Sequence, residues 1–326
     1  MLQVNLFTSG TKESRTPFTK LALDKFTKIS DKNKDLVWLH VYFNKDMKDL
    51  WVEEFTQPKY ENFDVVLHMM ENDEYVLKVP MAHQTTAPFS CKWDDDVLIG
   101  TPTWDYIIDN LNVLHMDPNI SVLAPLLTNG VPSVDLFLRD LCSEEERQVA
   151  HKIFLEEGLK NVLDIWGADY RGVQTFIESM DEWDADKYWT FIETFDPMAT
   201  RPFLPPNYKW AKGIHPARFS YDFNMFIAEK ILNNMDVVLG KNNFYMEARE
   251  TAYFCNNIFF TKTDYWRKSF AILSDGYDEG QLTVYAKSIG MKPAYVRNSF
   301  GIHMAYGCTN RQAEIEDHYI SQLCSS

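Results

Sequence analysis

The apolar positions change period several times along the first hundred residues. Leu2–Phe7 is a short apolar run that predicts a strand. Over Ser14–Ile29 the apolar residues Phe18, Leu21, Ala22, Phe26 and Ile29 recur near helical spacing, with Pro17 in the first turn, where proline is tolerated. Leu36–Phe43 is a continuous apolar run of the kind buried on both faces of a sheet. A helix over Asp46–Phe55 and a third strand over Phe63–Met70 follow. Asp73–Thr85 predicts a helix interrupted at Pro80, and Phe89–Trp93 a fourth strand that runs into three aspartates. This alternation of strand and helix predicts an α/β fold with a doubly wound, mostly parallel sheet. Ligands of such sheets bind outside the carboxyl ends of the strands, which is where the three aspartates lie.

The pattern continues with a helix over Thr103–Leu114 and a strand over Ile120–Leu127, and then changes. From Pro132 to about Leu232, helix-like stretches such as Ser143–Leu155 and Gly172–Met180 are joined by aromatic and proline-rich loops. This predicts a mainly helical insertion. Alternation resumes with Val237–Leu239, a strand over Ala252–Thr261, helices at Thr263–Leu273 and Glu279–Ile289, and a short strand at Ala294–Val296. The expected organisation is therefore 1–127, a helical insertion 128–235 serving as acceptor site or lid, and 236–326.

Composition narrows the classes. With 45% apolar and 24% charged residues the chain is globular rather than disordered. Its formal net charge is −15, distributed as +3 over 1–50, −7 over 51–100, −13 over 101–200 and +2 over 201–326. So acidic a chain is a poor general nucleic-acid binder, which needs many phosphate-neutralising cations. The five cysteines are odd in number and widely spaced with no CxxC pair, so neither a disulfide framework nor a zinc ribbon is expected. No basic leader precedes Leu2 and no apolar run reaches ~18 residues, so neither a signal peptide nor a membrane span is expected. A cytoplasmic protein is expected, or one of the host cytoplasm if a virus encodes it.

The chemistry concentrates in Lys92-Trp93-Asp94-Asp95-Asp96-Val97. Three adjacent carboxylates at a strand end repel one another unless a cation neutralises them. Mg²⁺ or Mn²⁺ suits oxygen ligands and keeps open positions for substrate phosphates. In extended backbone Asp94 and Asp96 face one side and could share one ion.

The stretch 89–99 resembles the strand-four motif of glycosyltransferases of the GT-A fold, in their K-x-D-D-D-hydrophobic form. Three further stretches are similar to that family's blocks: Asn256-Asn257-Ile258-Phe259-Phe260-Thr261-Lys262, then Asp278-Glu279-Gly280-Gln281-Leu282 followed by a helix ending at Gly290, and Gly301-Ile302-His303-Met304, whose histidine follows the last core strand. The resemblance covers 1–127 and 236–306. It implies a GT-A-like sheet and a nucleotide-sugar donor, with UDP-sugar the expected one. It also implies that Asp94, Asp96 and His303 hold Mn²⁺ or Mg²⁺, and that Asp95 contacts the donor sugar or ribose. Thr8, Gly10 and Arg15, after strand one, are placed near the nucleotide, with Asn44 a further nucleoside contact. Glu279 becomes the general base of an inverting reaction and Asp278 an acceptor-orienting acid. Their order is reversed relative to the family block, which leaves the choice between them open and a retaining reaction available.

The acceptor is not legible. A saccharide, a lipid-linked saccharide, a protein or a hydroxylated DNA base all suit this chemistry. The Trp183–Trp189 stretch and the Lys212–Arg218 loop are acceptor-site candidates. For a DNA base, Lys209, Lys212, Arg218, Arg267 and Lys268 would supply a basic groove. Competing classes are a phosphohydrolase, a sugar-nucleotide pyrophosphorylase and a non-catalytic carbohydrate-binding protein. The first wants its acids after strand one, and the second wants a glycine-rich turn there that TSGTKESR lacks.

Overall fold

A computed structural model of the chain describes residues 1–8, 15–70, 85–127, 137–138, 140–153, 221–235, 245–247, 257–270, 282, 285–304 and 312–325. The described residues form one mixed sheet of nine strands. These are β1 (Leu2–Phe7), β2 (Val37–Asn44), β3 (Asp64–Met70), β4 (Phe89–Asp94), β5 (Val97–Ile99), β6 (Ile120–Leu127), β7 (Tyr245–Glu247), β8 (Ile258–Lys262) and β9 (Lys292–His303). Their order is β3-β2-β1-β4-β8-β6-β9-β5, with β7 paired to β9. The first four are parallel to one another, as the βαβ alternation requires. β8 is antiparallel to both β4 and β6, and β9 runs parallel to β6. The expected α/β sheet, mostly parallel, is present.

The helices are α1 (Thr16–Phe26), α2 (Asp31–Lys34), α3 (Lys48–Phe55), α4 (Thr101–Asp109), α5 (Val113–Met116), α6 (Glu144–Ile153), α7 (Tyr221–Asn233), α8 (Thr263–Phe270) and α9 (Gln312–Ser325). In α1, Phe18, Ala22, Leu23 and Phe26 are buried, the face that the spacing predicts. The expected helix over Thr103–Leu114 is two helices. Asn110 lies at the break and donates its side-chain amide to the Tyr106 carbonyl at 2.8 Å, a local bond that competes with helix continuation. α6 opens with a capping box: the Ser143 amide donates to Glu146 Oε2 at 2.9 Å, and Ser143 Oγ accepts from the Glu146 amide at 3.3 Å. Residues 285–288 are helical and end at Gly290, whose φ of 72° suits glycine. There the Met291 amide reaches back to the Ala286 carbonyl at 2.8 Å, in Schellman fashion.

β5 and β7 were not expected, and two of the expected strands differ from the prediction. β2 is not buried on both faces throughout, because Trp38 and His40 are half-exposed. β9 is twelve residues long where Ala294–Val296 alone was expected. Its Pro, Asn and Gly residues look like strand breakers. They are accommodated because β9 changes partner along its length, pairing β6 with register shifts and then β5 at its end. Gly301 is needed there, since a Cβ would lie 2.6 Å from Ile99 Cγ2 and 2.9 Å from Leu127 Cδ2. The predicted segments Asp73–Thr85, Gly172–Met180 and Val237–Leu239 lie essentially outside the described residues, Thr85 being the one exception.

An aromatic cluster ties the sheet to its helices. Phe26 of α1 stands 5.6 Å from Trp93 of β4 and 4.9 Å from Trp104 of α4, and Trp104 lies 5.5 Å from Phe260 of β8. These rings supply large apolar burial beneath the end of β4. Parts of 128–235 join the same core: Phe137, Ala150, Ile227 and Ile231 are buried in it, and the Phe137 ring meets that of Phe300 edge-on at 6.1 Å.

Candidate functional site

β4 is the last strand of the parallel run, between β1 and the antiparallel β8, and it ends at Asp94. Asp95 and Asp96 form a turn, and β5 leaves at once. Each aspartate is fixed through its backbone by a different neighbour. The Asp94 amide donates to the Asn257 carbonyl at 2.8 Å, and the Asp95 amide to the Phe7 carbonyl at 3.0 Å. The Asp96 carbonyl accepts from the Met304 amide at 2.9 Å. The buried Trp93 indole closes the turn by donating to the Val97 carbonyl at 2.9 Å. Val97 pairs with His303 in the β5–β9 ladder, so the histidine stands beside Asp96 although it is 207 positions away in sequence (303 minus 96).

The side chains divide into two groups. Lys92, almost fully buried, donates to Asp94 Oδ2 at 2.9 Å, and Asn257 Nδ2 lies 3.4 Å from the same oxygen. Lys92 and Asp94 are i and i+2 in a strand and therefore share a face. Arg15, just before α1, bridges the other two acids: its Nη1 is 3.3 Å from Asp95 Oδ1 and 3.2 Å from Asp96 Oδ2. His303 Nε2 lies 3.4 Å from that same Asp96 oxygen. The other oxygen, Asp96 Oδ1, is buried without a hydrogen-bond partner. Burial pushes the Asp96 carboxyl up, but His303, Arg15 and Lys92 outweigh it and hold the acid well below the usual carboxylate range. Asp96 is thus a buried anion with one oxygen crowded by cationic and imidazole groups and the other bare.

A bare buried acceptor oxygen is costly. It suits a group that brings positive charge. The Asp96–His303 pair offers an oxygen and a nitrogen, and an oxygen-preferring divalent ion completes its shell with water and phosphate oxygens. The donor set therefore fits Mg²⁺ or Mn²⁺. Among the described residues no three His, Cys, Asp or Glu side chains converge into a ready-made cluster. The alternation that pairs Asp94 with Asp96 holds only in extended backbone, and the chain turns at Asp95. Arg15 consequently gathers Asp95 with Asp96, while Asp94 is held by Lys92 and Asn257.

The remaining predicted residues fall as follows. Thr8 is buried, and its Oγ1 donates to the Tyr42 carbonyl at 3.0 Å. Asn44 Oδ1 accepts from the Asp46 amide at 3.3 Å and so caps the turn after β2. Gly10, Asp278, Glu279, Trp183–Trp189 and the Lys212–Arg218 loop lie outside the described residues. Arg267 pairs with Asp264 and donates to the Thr85 carbonyl. Roles for Lys92, Asn257 and Thr19, whose hydroxyl meets the Asp95 carbonyl at 3.1 Å, were not anticipated. Lys92 could have been found from its i, i+2 spacing to Asp94; Thr19 offered no signal.

No protein-family model matches the chain. No curated protein matches it either. Among solved structures it is similar to a mannosyltransferase from Pyrobaculum calidifontis in complex with GDP-Man and Mn²⁺. That match has 15% identity over 38% of this chain and 34% of the other, with a TM-score of 0.30. It is similar to S. aureus TarS 1-349 with UDP-GlcNAc at 14% identity over 39% and 34%, with a TM-score of 0.28. Against another structure of TarS 1-349 the identity is 10% over 89% and 90%, with a TM-score of 0.30. In the first two matches the chain spans about a third of the neighbour's length. Likenesses at this level carry no weight for the fold or the chemistry, which rest on the strand order and on the Asp94–Asp96 turn.

Proposed function

We propose that the protein is a metal-dependent glycosyltransferase that moves a sugar from a nucleotide-diphosphate sugar, a UDP-sugar in our reading, to an acceptor hydroxyl. The observation that carries the reading is Asp96. It is a buried carboxylate held below the usual acid range, with Arg15 and His303 on one oxygen and the other bare, at the carboxyl end of a parallel strand, where α/β sheets bind ligands. The resemblance of residues 89–99 to the strand-four motif supports the same conclusion from the sequence.

In this reading Asp96 and His303 hold Mn²⁺ or Mg²⁺, with Asp94 as a further ligand, and Asp95 contacts the donor sugar or ribose. Once held there, such an ion would supply charge neutralisation for a diphosphate leaving group. Arg15 lies against the same acids and supplies a guanidinium beside the donor's phosphates, a group suited to bidentate phosphate contact. Lys92 and Asn257 hold Asp94 in one orientation. Thr8 and Gly10 border the nucleotide. Glu279 takes the acceptor proton and Asp278 orients the acceptor, in an inverting reaction. Residues 1–127 form the donor half, 236–326 the catalytic half, and 128–235 cover the acceptor. The acceptor belongs to one of four classes: a saccharide, a lipid-linked saccharide, a protein or a hydroxylated DNA base.

The test is a panel of UDP- and GDP-sugars with and without Mn²⁺, read first by thermal shift and then by release of nucleoside diphosphate. The expected result is stabilisation by one donor that depends on Mn²⁺, because a ligand bound only by the folded state raises the melting temperature. Asp96→Ala abolishes it. A wild-type protein that no nucleotide sugar stabilises with Mn²⁺ overturns the reading.

A further inference from the structure

A second cluster of ligating side chains stands on the same sheet face, two and three strands from the carboxylates. Phe7 is in register with Asp94 on β4 and with Tyr42 on β2, and Tyr42 is in register with His68 on β3. Residues in register on neighbouring strands share a face, and so does His40, two positions before Tyr42. The rings form a ladder. Phe7 stacks on Tyr42 at 5.1 Å between centroids, and Tyr42 lies flat on His68 at 4.3 Å with an interplanar angle of 3°. His40 then closes on His68, with its Nδ1 2.9 Å from His68 Nε2.

Both histidines are half-buried, so solvent and ions reach them. One proton serves the contact: one ring donates N–H and the other accepts. Burial, and then the neighbouring His68, push the His40 pKa down to about 4, and burial also lowers that of His68. At neutral pH each ring is therefore an uncharged imidazole, the form that binds metals. Tyr42 fixes the plane of His68, and both histidines project from hydrogen-bonded strands rather than loops.

We propose that His40 and His68 form a two-imidazole site for a borderline divalent transition ion such as Zn²⁺, Ni²⁺ or Cu²⁺. On binding, the ring that donates in this contact shifts its proton through solvent to its other nitrogen, so both rings stay neutral, each facing nitrogen gives its lone pair to the ion, and water completes the shell. Imidazole nitrogen suits these ions, whereas Mg²⁺ prefers oxygen, so the site differs in kind from the one at Asp96. It also differs in place. At ~4.8 Å per strand, three strand steps separate His68 from Asp94 by about 14 Å. The proposal does not depend on the glycosyltransferase reading.

The test is calorimetric titration of the full chain with Zn²⁺, with excess Mg²⁺ present to occupy oxygen sites. His40→Gln, His68→Gln and, as a control, the exposed His115→Gln are titrated alongside. Wild type should bind Zn²⁺ at a site whose affinity His40→Gln and His68→Gln each lower by about tenfold or more and His115→Gln leaves unchanged. A Cu²⁺ electron paramagnetic resonance spectrum of wild type, which needs no variant to fold, should show coupling to two imidazole nitrogens. Equal Zn²⁺ affinity in wild type, His40→Gln and His68→Gln overturns the proposal, and so does a Cu²⁺ spectrum without nitrogen coupling.

Discussion

Glu54 and Asp96 are both buried carboxylates held below the usual acid range, yet they are built oppositely. Glu54, on α3, is satisfied on both oxygens. Oε1 meets Lys59 at 2.7 Å and the Tyr60 hydroxyl at 3.0 Å, and Oε2 meets Lys20 at 3.2 Å and Gln57 at 3.0 Å. Asp96 has Arg15 and His303 on one oxygen and nothing on the other. A fully paired buried acid repays part of its desolvation and holds elements together. A half-paired one is destabilising unless something arrives to complete it. The first arrangement is what a structural network looks like, and the second suits a ligand site. Burial and charge alone do not separate the two; the count of satisfied oxygens does.

The largest effect expected from this contrast is on stability at Glu54. Glu54→Gln should cost about 3 kcal/mol, towards the low end for a broken buried pair because Lys20 and Lys59 can turn to water. Denaturant unfolding measures it, and a loss below about 1 kcal/mol would erase the contrast. At Asp96 the order reverses. Asp96→Asn should lower donor turnover at least about 100-fold, or about 2.7 kcal/mol in transition-state terms, while changing folding stability by less than about 1 kcal/mol. If Asp96→Asn unfolds the protein instead, Asp96 is structural like Glu54.

The smallest expected effect is in pH dependence, where the His40–His68 pair and Glu54 act in successive windows. The folded His40 value of about 4 lies below the ordinary value of about 6.5. Between them the unfolded chain binds a proton that the folded chain does not, so stability should fall as pH drops through that window. His40→Gln should flatten that slope. Glu54 is also lowered, since Lys59, Tyr60 and Lys20 outweigh the rise caused by burial. Its stabilisation is present above the unfolded carboxyl value and is lost as pH falls through the lower folded value. Glu54→Gln should therefore flatten the acid limb and leave the His40 window intact. Unfolding free energies measured from pH 7 to pH 3 separate the two.

Much of residues 1–127 was legible because its signals are local. β1, β3 and β4 follow from apolar runs, and α1 follows from the spacing of Phe18, Ala22 and Phe26 and from Pro17. Asp94–Asp96 stood out as three acids at a strand end. The full length of β9 was not legible, because its partners β5, β6 and β7 come from distant parts of the chain and absorb the Pro and Gly that look like breaks. The side-chain partners of the three acids were not legible for a simpler reason. The period-two rule fails where the chain turns, and the turn at Asp95 is made by Trp93 bonding to Val97, a contact that no pattern of apolar residues announces.

The sequence by itself determined the α/β class, the parallel run of β1, β2, β3 and β4, and the position of the acidic turn at the end of β4. These depend on hydrophobic period and strand-end chemistry, both written in consecutive residues. Only the tertiary structure decided which side chain meets which acid: Lys92 on Asp94, Arg15 across Asp95 and Asp96, His303 beside Asp96. It alone brought His40 against His68. Those choices depend on strand register and on a bare oxygen, which exist only once segments far apart in the chain have paired.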